Sequence, residues 1–287
     1  MRSTSLGRQL WAITQLTRLD KPWGTVLLLW PTMWALWLAT EGIPPYHLLG
    51  IFLCGGVFMR ACGCVLNDVC DQDIDVNVDR TKGRPLASGH LSTKTALLVA
   101  IGLAGLAAGL LWFLNRTTQW LAVIGIILTM IYPTTKRWLT CPQLFLGMTF
   151  AWGIPMAFAA SGHALGYTCW LLYAATACWI VGYDTIYAMQ DLEDDRKLAI
   201  HTLPKYLNGD IFWLTSGLYG VFWLVLGAIG AMLAFNHYFY VGWLFAGYLL
   251  LAQLMVLKSG HGQYLAAFKS NQWVGFWLWL GVVLGTF

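Results

Sequence analysis

Apolar runs of membrane length recur from one end of this 287-residue chain to the other. A run of about 18 or more apolar residues is what a helix needs to cross the hydrocarbon core of a bilayer, and it exceeds what most soluble cores absorb. Nine such segments are expected: 23–39, 48–66, 95–114, 118–132, 143–160, 168–189, 211–235, 240–257 and 272–286. The predicted fold class is therefore all-α, a polytopic membrane protein of nine transmembrane helices whose fourth span is short. Charged residues make up 10% of the chain, against roughly 25% in ordinary soluble domains.

The few charges orient the segments. With nine spans, one side of the membrane receives the N-terminus and the loops after spans two, four, six and eight. That side holds Arg2, Arg8, Arg18, Lys21, Arg80, Lys82, Arg84, Lys94, Lys136, Arg137, Arg196, Lys197, Lys205, Lys258 and Lys269. Of the 17 Lys and Arg, this leaves Arg60, inside a span, and Arg116. Cytoplasmic loops carry such an excess of cations, so the N-terminus is expected in the cytoplasm. The net charge of +4 then reflects topology, and a nucleic-acid partner is excluded because no soluble basic face interleaved with aromatics exists. No secretory signal precedes the first span, and residues 5–19 read as an amphipathic helix along the membrane surface.

The seven cysteines form no CxxC pair of the zinc-binding kind and read as buried apolar residues. His47, His163 and His237 fall near turns. No linker divides the chain, so one domain is expected over residues 1–287. Its two halves, about 1–139 and 140–287, each carry an acid-rich loop, after span two and after span six, and an active centre is expected between them.

The first loop reads "NDVCDQDID", Asn67 to Asp75. A calcium-binding loop would place glycine at its sixth position and glutamate at its twelfth; here Val76 and Lys82 stand there, which excludes it. If span two continues as a helix, Asn67, Asp68, Asp71 and Asp75 share one face and Asp73 points away. The second loop, "YDTIYAMQDLEDDRK" from Tyr183 to Lys197, aligns Asp184, Tyr187, Asp191 and Asp195 in the same manner, with Glu193 turned away. Like charges stacked on a helix face repel one another, so such stripes imply bound cations. Carboxylate and amide oxygens suit Mg²⁺, which shares its shell with substrate phosphates. Asp184, within a span, is expected to face a cavity and not lipid. A cation-coupled transporter is the rival reading of these acids, but transporter acids gather near the bilayer midplane, not at helix ends beside cations.

These motifs carry a resemblance. "NDVCDQDID" and "DLEDD" (Asp191 to Asp195) resemble the two Asp motifs of the membrane-embedded UbiA-type prenyltransferases. "RLDKPWGTVLLLWPTMWALW" from Arg18, "MRACGCVLND" from Met59, "DRTKGRPLASG" from Asp79, "YPTTKRW" from Tyr132, "GIPMAFAA" from Gly153, "YDTIYAM" from Tyr183 and "FKSNQWVG" from Phe268 are similar to the 4-hydroxybenzoate polyprenyltransferase branch. Together they span nearly the whole chain.

The resemblance implies a ring of nine helices around a central cavity that opens laterally to the lipid bilayer, in the inner (cytoplasmic) membrane of a bacterium. It implies Mg²⁺-dependent transfer of a polyprenyl chain from polyprenyl diphosphate to the ring carbon ortho to the hydroxyl of 4-hydroxybenzoate, an early step of ubiquinone biosynthesis. It carries Mg²⁺–diphosphate binding over to Asn67, Asp68, Asp71, Asp75, Asp191 and Asp195, with Asp71, Asp75, Asp191 and Asp195 in the catalytic set. Another acceptor, such as homogentisate or a haem, is the alternative.

Diphosphate departs only when its growing charge is neutralised, and Arg80, Arg84, Lys136 and Arg137 are candidate cations for it. The acceptor carboxylate calls for an arginine fork; Arg137 is the first candidate and Arg60 its rival, with Asp184 and Tyr187 beside them. One departure from the family pattern stands out. After the second motif Gly-x-Lys-Ser is usual, but Ala199, Ile200, His201 and Thr202 stand here, so His201 is the candidate for the missing cation.

Overall fold

The computed structural model describes residues 5–259 and 262–286, so Arg2 of the charge count lies outside the described residues. These residues form helices and turns, and no strand occurs among them. Helix α1 (Ser5–Leu16) precedes α2 (Trp23–Thr40) and α3 (Tyr46–Cys70). A single helical turn, α4 (Gln72–Asp75), and a loop lead to α5 (Thr93–Leu111) and α6 (Arg116–Ile131), which runs on as a 3₁₀ turn, Tyr132–Arg137. Then come α7 (Pro142–Ala151), α8 (Gly153–Ala160) and α9 (Tyr167–Ala188). A 3₁₀ turn at Met189–Asp191, α10 (Leu192–Asp195) and α11 (Leu203–Tyr206) precede α12 (Phe212–Met232), α13 (His237–Ser259) and α14 (Tyr264–Gly285).

All nine expected segments are helical. Six stretches are long and apolar enough to cross a membrane: α3, α5, α6 with its 3₁₀ extension, α7 with α8, α12 and α13. The chain is thus a multi-pass membrane protein in its helix content. The remaining three segments are α2, α9 and α14, of 18, 22 and 22 residues.

Local chemistry explains several boundaries. Ser92 Oγ accepts from the Thr95 amide at 3.1 Å and opens α5; Asn115 Oδ1 accepts from the Thr118 amide at 3.0 Å and opens α6. The segment 143–160 is split at Trp152 because Pro155, four residues after Ala151, offers that carbonyl no N–H. The expectation of one helix through the first acid motif is corrected: α3 stops at Cys70, and Asp71 (φ −94°, ψ 8°) turns the chain before α4. The second motif is interrupted likewise, by the 3₁₀ turn after Ala188.

The order of neighbours closes on itself. Helix α2 packs on α3, α3 on α5, α5 touches α6, α6 packs on α8, α7 and α8 on α9, α9 on α12, α12 on α13, α13 on α14, and α14 returns to α2. Helices α13 and α14 approach closely at Gly242, where a Cβ would come within 2.4 Å of the Trp277 carbonyl. Trp179 and Phe222 stack in the buried core at 5.3 Å, with Trp34 tilted against both. Beside them Tyr219, Gln253, Asn271 and Trp179 satisfy one another's buried polar groups, tying α9, α12, α13 and α14 together.

Candidate active site

A cavity of about 850 Å³ lies within this ring. Leu28, Phe52, Leu111, Leu146, Phe150 and Met156 form an apolar wall, and Asn67, Asp68, Asp75, Arg80, Arg84, Lys136, Tyr187, Asp191 and Asp195 form a polar one. The two acid motifs, more than 100 residues apart, therefore reach a single space.

Cations hold most of these acids. Asp68, 1% exposed, accepts from Arg18 Nη2 at 2.6 and 2.8 Å and from Arg84 Nη1 at 3.0 Å. The same Arg84 nitrogen donates to Asp75 at 2.7 Å. Asp71 sits one layer behind the wall, where its Oδ2 accepts from Lys136 Nζ at 2.7 Å and from Asn67 Nδ2 at 3.0 Å. Arg80 grips both oxygens of Asp191, with Nε at 2.8 Å from Oδ1, and donates to the Tyr187 hydroxyl at 2.9 Å. Asp73 and Glu193 point to solvent as the helix geometry implied, paired with Arg137 and Arg196.

Burial pushes the Asp75 carboxyl above its ordinary value, against the pull of Arg84. Asp195, with no cation bonded to it, is pushed up to about 6 by burial and then by the Asp191 charge. A raised acid favours folding only below its ordinary value of 3.8 and loses that contribution as pH rises through about 6. In metal-free protein, Asp195→Asn is therefore expected to melt higher than wild type above pH about 6, with the gap closing towards pH about 4. Thermal melts across that range check it; a gap that widens on acidification contradicts it.

Deeper in the cavity lie Arg60, Asp184, Tyr132 and Tyr183. Arg60 crosses Gly24, where a Cβ would come within 2.6 Å of the guanidinium, and its carbon sits 5.3 Å from the Phe150 ring centre. It makes no ion pair among the described residues, and its buried Nε has no partner. The Tyr183 hydroxyl is also buried without a partner. Asp184 lies within electrostatic reach of Arg60 and Lys136.

The polar wall fits a hard divalent cation in its chemistry. Asn67, Asp75, Asp191 and Asp195 bring oxygen ligands to the cavity, and behind them Asp71 Oδ1 is buried with no hydrogen-bond partner. Among the described residues no three acids converge tightly enough to hold a metal ion as they stand. Arg18 and Arg84 pair with Asp68, Arg84 also with Asp75, Lys136 with Asp71 and Arg80 with Asp191.

The sequence profile of the UbiA prenyltransferase family matches residues 28–286. The chain belongs to this family. It is 44% identical over 282 residues, 98% of each chain, to a 4-hydroxybenzoate octaprenyltransferase of Coxiella burnetii (strain RSA 493 / Nine Mile phase I). It is 43% identical over 279 residues to the enzyme of the same name from Alcanivorax borkumensis, covering 95% of this chain and 94% of that one. In fold it is similar to a UbiA homolog from Aeropyrum pernix K1, with a TM-score of 0.79 and 20% identity over 90% of this chain and 97% of that chain. A UbiA homolog from Archaeoglobus fulgidus bound to GPP and Mg²⁺ gives a TM-score of 0.74 at 16% identity, over 95% and 99%.

Within this UbiA fold, two candidates lie away from the cavity. Arg137 is 44% exposed and spends its guanidinium on Asp73 and on the Cys70 carbonyl. On a 3₁₀ turn successive residues project about 120° apart, so Lys136 faces the cavity and Arg137 does not. His201 is exposed, and its amide donates to the Lys136 carbonyl at 2.8 Å; from that stretch Ile200 and Thr202 line the cavity. Lys205 instead caps the carbonyls of Leu198 and Ile200. Arg137→Ala is accordingly expected to leave both substrate KM values within about threefold, as exposed ion pairs contribute little. A selective rise in the acceptor KM would return Arg137 to the site.

Sequence reasoning missed Arg18, Tyr132 and Tyr183 as cavity residues. Arg18 counted only as a cytoplasmic-side cation, and the signal that could have found it is its place where an amphipathic helix meets the first span.

Proposed function

We propose that this chain is a 4-hydroxybenzoate polyprenyltransferase, forming a bond between C1 of a polyprenyl diphosphate and the ring carbon ortho to the acceptor hydroxyl, early in ubiquinone biosynthesis. The observation that carries the reading is one cavity with three surroundings: paired acids and cations, an apolar wall, and an unpaired arginine beside a carboxylate. The 40–44% identity to 4-hydroxybenzoate octaprenyltransferases over nearly full length supports it.

The prenyl tail lies along the apolar wall, with the diphosphate at the polar wall. Mg²⁺, when bound by Asn67, Asp71, Asp75, Asp191 and Asp195, supplies Lewis-acid withdrawal of charge from the leaving diphosphate. Arg80, Arg84 and Lys136 share that charge as the C1–O bond breaks and diphosphate leaves with the electron pair. Arg60 receives the acceptor carboxylate, replacing Arg137 in that role. Asp184 accepts the acceptor's hydroxyl proton, which raises electron density at the ortho carbon; that carbon attacks C1, its ring proton passes to the released diphosphate as the ring regains aromaticity, and Asp184 returns its proton to the phenolate oxygen. Tyr183, Tyr187 and Phe268, packed edge to face or tilted at 4.5–5.6 Å, keep water from the allylic carbon and present ring faces to it.

In this reading the single domain spans residues 1–287, nine helices cross a bacterial inner membrane, and the N-terminus and acid-bearing loops face the cytoplasm. The test is an acceptor panel: purified chain in liposomes, a polyprenyl diphosphate, and 4-hydroxybenzoate, homogentisate or a haem. Prenylation of 4-hydroxybenzoate at a kcat/KM far above the others supports the reading; preference for another acceptor overturns it.

A further inference from the structure

Helix α1 ends in a Schellman turn: the Leu19 amide donates to the Thr14 carbonyl at 3.1 Å and the Arg18 amide to the Gln15 carbonyl at 3.2 Å. That turn places Arg18 in the left-handed region, φ 59°, which glycine adopts freely and arginine does not. Glu41, Asn208 and Ala234 share a positive φ, but among these four only Arg18 lines the cavity. Strained backbone persists where the surroundings over-determine it, and here they are visible. Arg18 Nη1 donates to the Gln15 carbonyl at 2.7 Å, and Nη2 reaches both oxygens of buried Asp68.

Asp68 has a second partner. Its Oδ1 also accepts from Arg84 Nη1, the nitrogen that donates to Asp75. A continuous relay therefore runs from the end of α1 through Arg18, Asp68 and Arg84 to Asp75. Helix α1 is itself held firmly, with Ala12 and Leu16 packed among Cys62, Val65 and Leu86.

We propose that Arg18 is a positioning residue for prenyl transfer: from the C-terminal turn of α1 it holds both oxygens of Asp68, and so fixes the carboxylate that orients Arg84 and Asp75 at the diphosphate end of the cavity. This rests on reading the cavity as a prenyl diphosphate site. It gives Asp68 a different task from its neighbours in the first motif, that of a bracket for two arginines. Without Arg18 the Asp68 carboxylate keeps Arg84 but can rotate, and Arg84 with it; a misplacement of about 1 Å in a charge-stabilising group costs about 100-fold in rate.

The test compares full-length wild type, Arg18→Gly, Arg18→Lys, Asp68→Asn and the Arg18→Gly/Asp68→Asn double variant in one detergent. It reads Tm, kinetics for both substrates, and inhibition by inorganic pyrophosphate. Arg18→Gly is expected to keep or raise Tm, because glycine relieves the left-handed residue and Asp68 stays paired with Arg84. Its kcat/KM for the prenyl diphosphate and its sensitivity to pyrophosphate fall by about 10- to 100-fold, while the acceptor KM stays within about twofold. Arg18→Lys recovers part of the loss, since a point charge replaces a fork. The double variant is no worse than Asp68→Asn, because Arg18 acts through that carboxylate. Wild-type donor kinetics and pyrophosphate inhibition in Arg18→Gly overturn the proposal. So does a loss of Tm with both substrates affected alike, which marks a mere structural staple. A wild-type chain that turns over neither substrate would instead remove the prenyl-transfer reading itself.

Discussion

Asp191→Asn lowers prenyl transfer by roughly three powers of ten while the protein remains inserted and folded. Asp191 lines the cavity, and its carboxylate is held by Arg80 from the other acid-bearing loop. In the proposed reading, neutralising it removes a metal-ligand charge and loosens the cation that shares the leaving group's charge. Folding loses little, because Arg80 is 35% exposed and its pair is not deeply buried. Asp71→Asn has an effect of the same order, through the orphaned Oδ1 and the bond to Lys136. Asp73→Asn and Glu193→Gln, 67% and 79% exposed, are the controls and leave turnover nearly unchanged. Steady-state rates on the purified variants check this; wild-type turnover in Asp191→Asn would remove the metal–diphosphate reading.

Arg60→Ala raises the acceptor KM by about 100-fold or more and leaves the prenyl diphosphate KM close to wild type. A guanidinium inside a membrane-spanning helix, with a buried nitrogen unsatisfied and no ion pair, is costly without a counter-charge. In the proposed reading the acceptor carboxylate is that counter-charge. Arg60→Lys restores part of the affinity, because an ammonium cannot form the two parallel bonds of a fork. Gly24→Ala gives an intermediate rise, since its Cβ would press on the guanidinium at 2.6 Å. The substrate-free protein loses little stability in Arg60→Ala, as the deleted guanidinium makes no ion pair among the described residues and gives up only its contact with the Phe150 ring. A rise confined to the prenyl diphosphate KM would place Arg60 at the other end of the cavity.

The helices were legible because apolar length is a local property, and so were the acids that turn outward, Asp73 and Glu193. The end of α3 at Cys70 was not. No proline or glycine marks it; just past the stop, Asp75 pairs with Arg84 nine residues on and Asp71 with Lys136, 65 residues away. Arg137 was chosen for its guanidinium, and sequence alone does not show that the 3₁₀ turn at Tyr132–Arg137 rotates Lys136 inward and Arg137 outward. The pairing of Asp68, Asp71, Asp75 and Asp191 with cations was likewise invisible, because spacing within a motif shows repulsion among like charges and not the basic side chains that the fold brings to them. Arg18 grips Asp68 from 50 residues away, and Arg80 grips Asp191 from 111.

The central claim is tested most directly by purified chain in liposomes, given a polyprenyl diphosphate and ring-labelled 4-hydroxybenzoate, with Mg²⁺ and then with EDTA. The prediction is label in the lipid extract, joined through the carbon ortho to the hydroxyl, with one diphosphate released per bond, and all of it lost on chelation and regained when Mg²⁺ is restored. Folded protein that leaves the label in the aqueous phase under the same conditions would contradict the account.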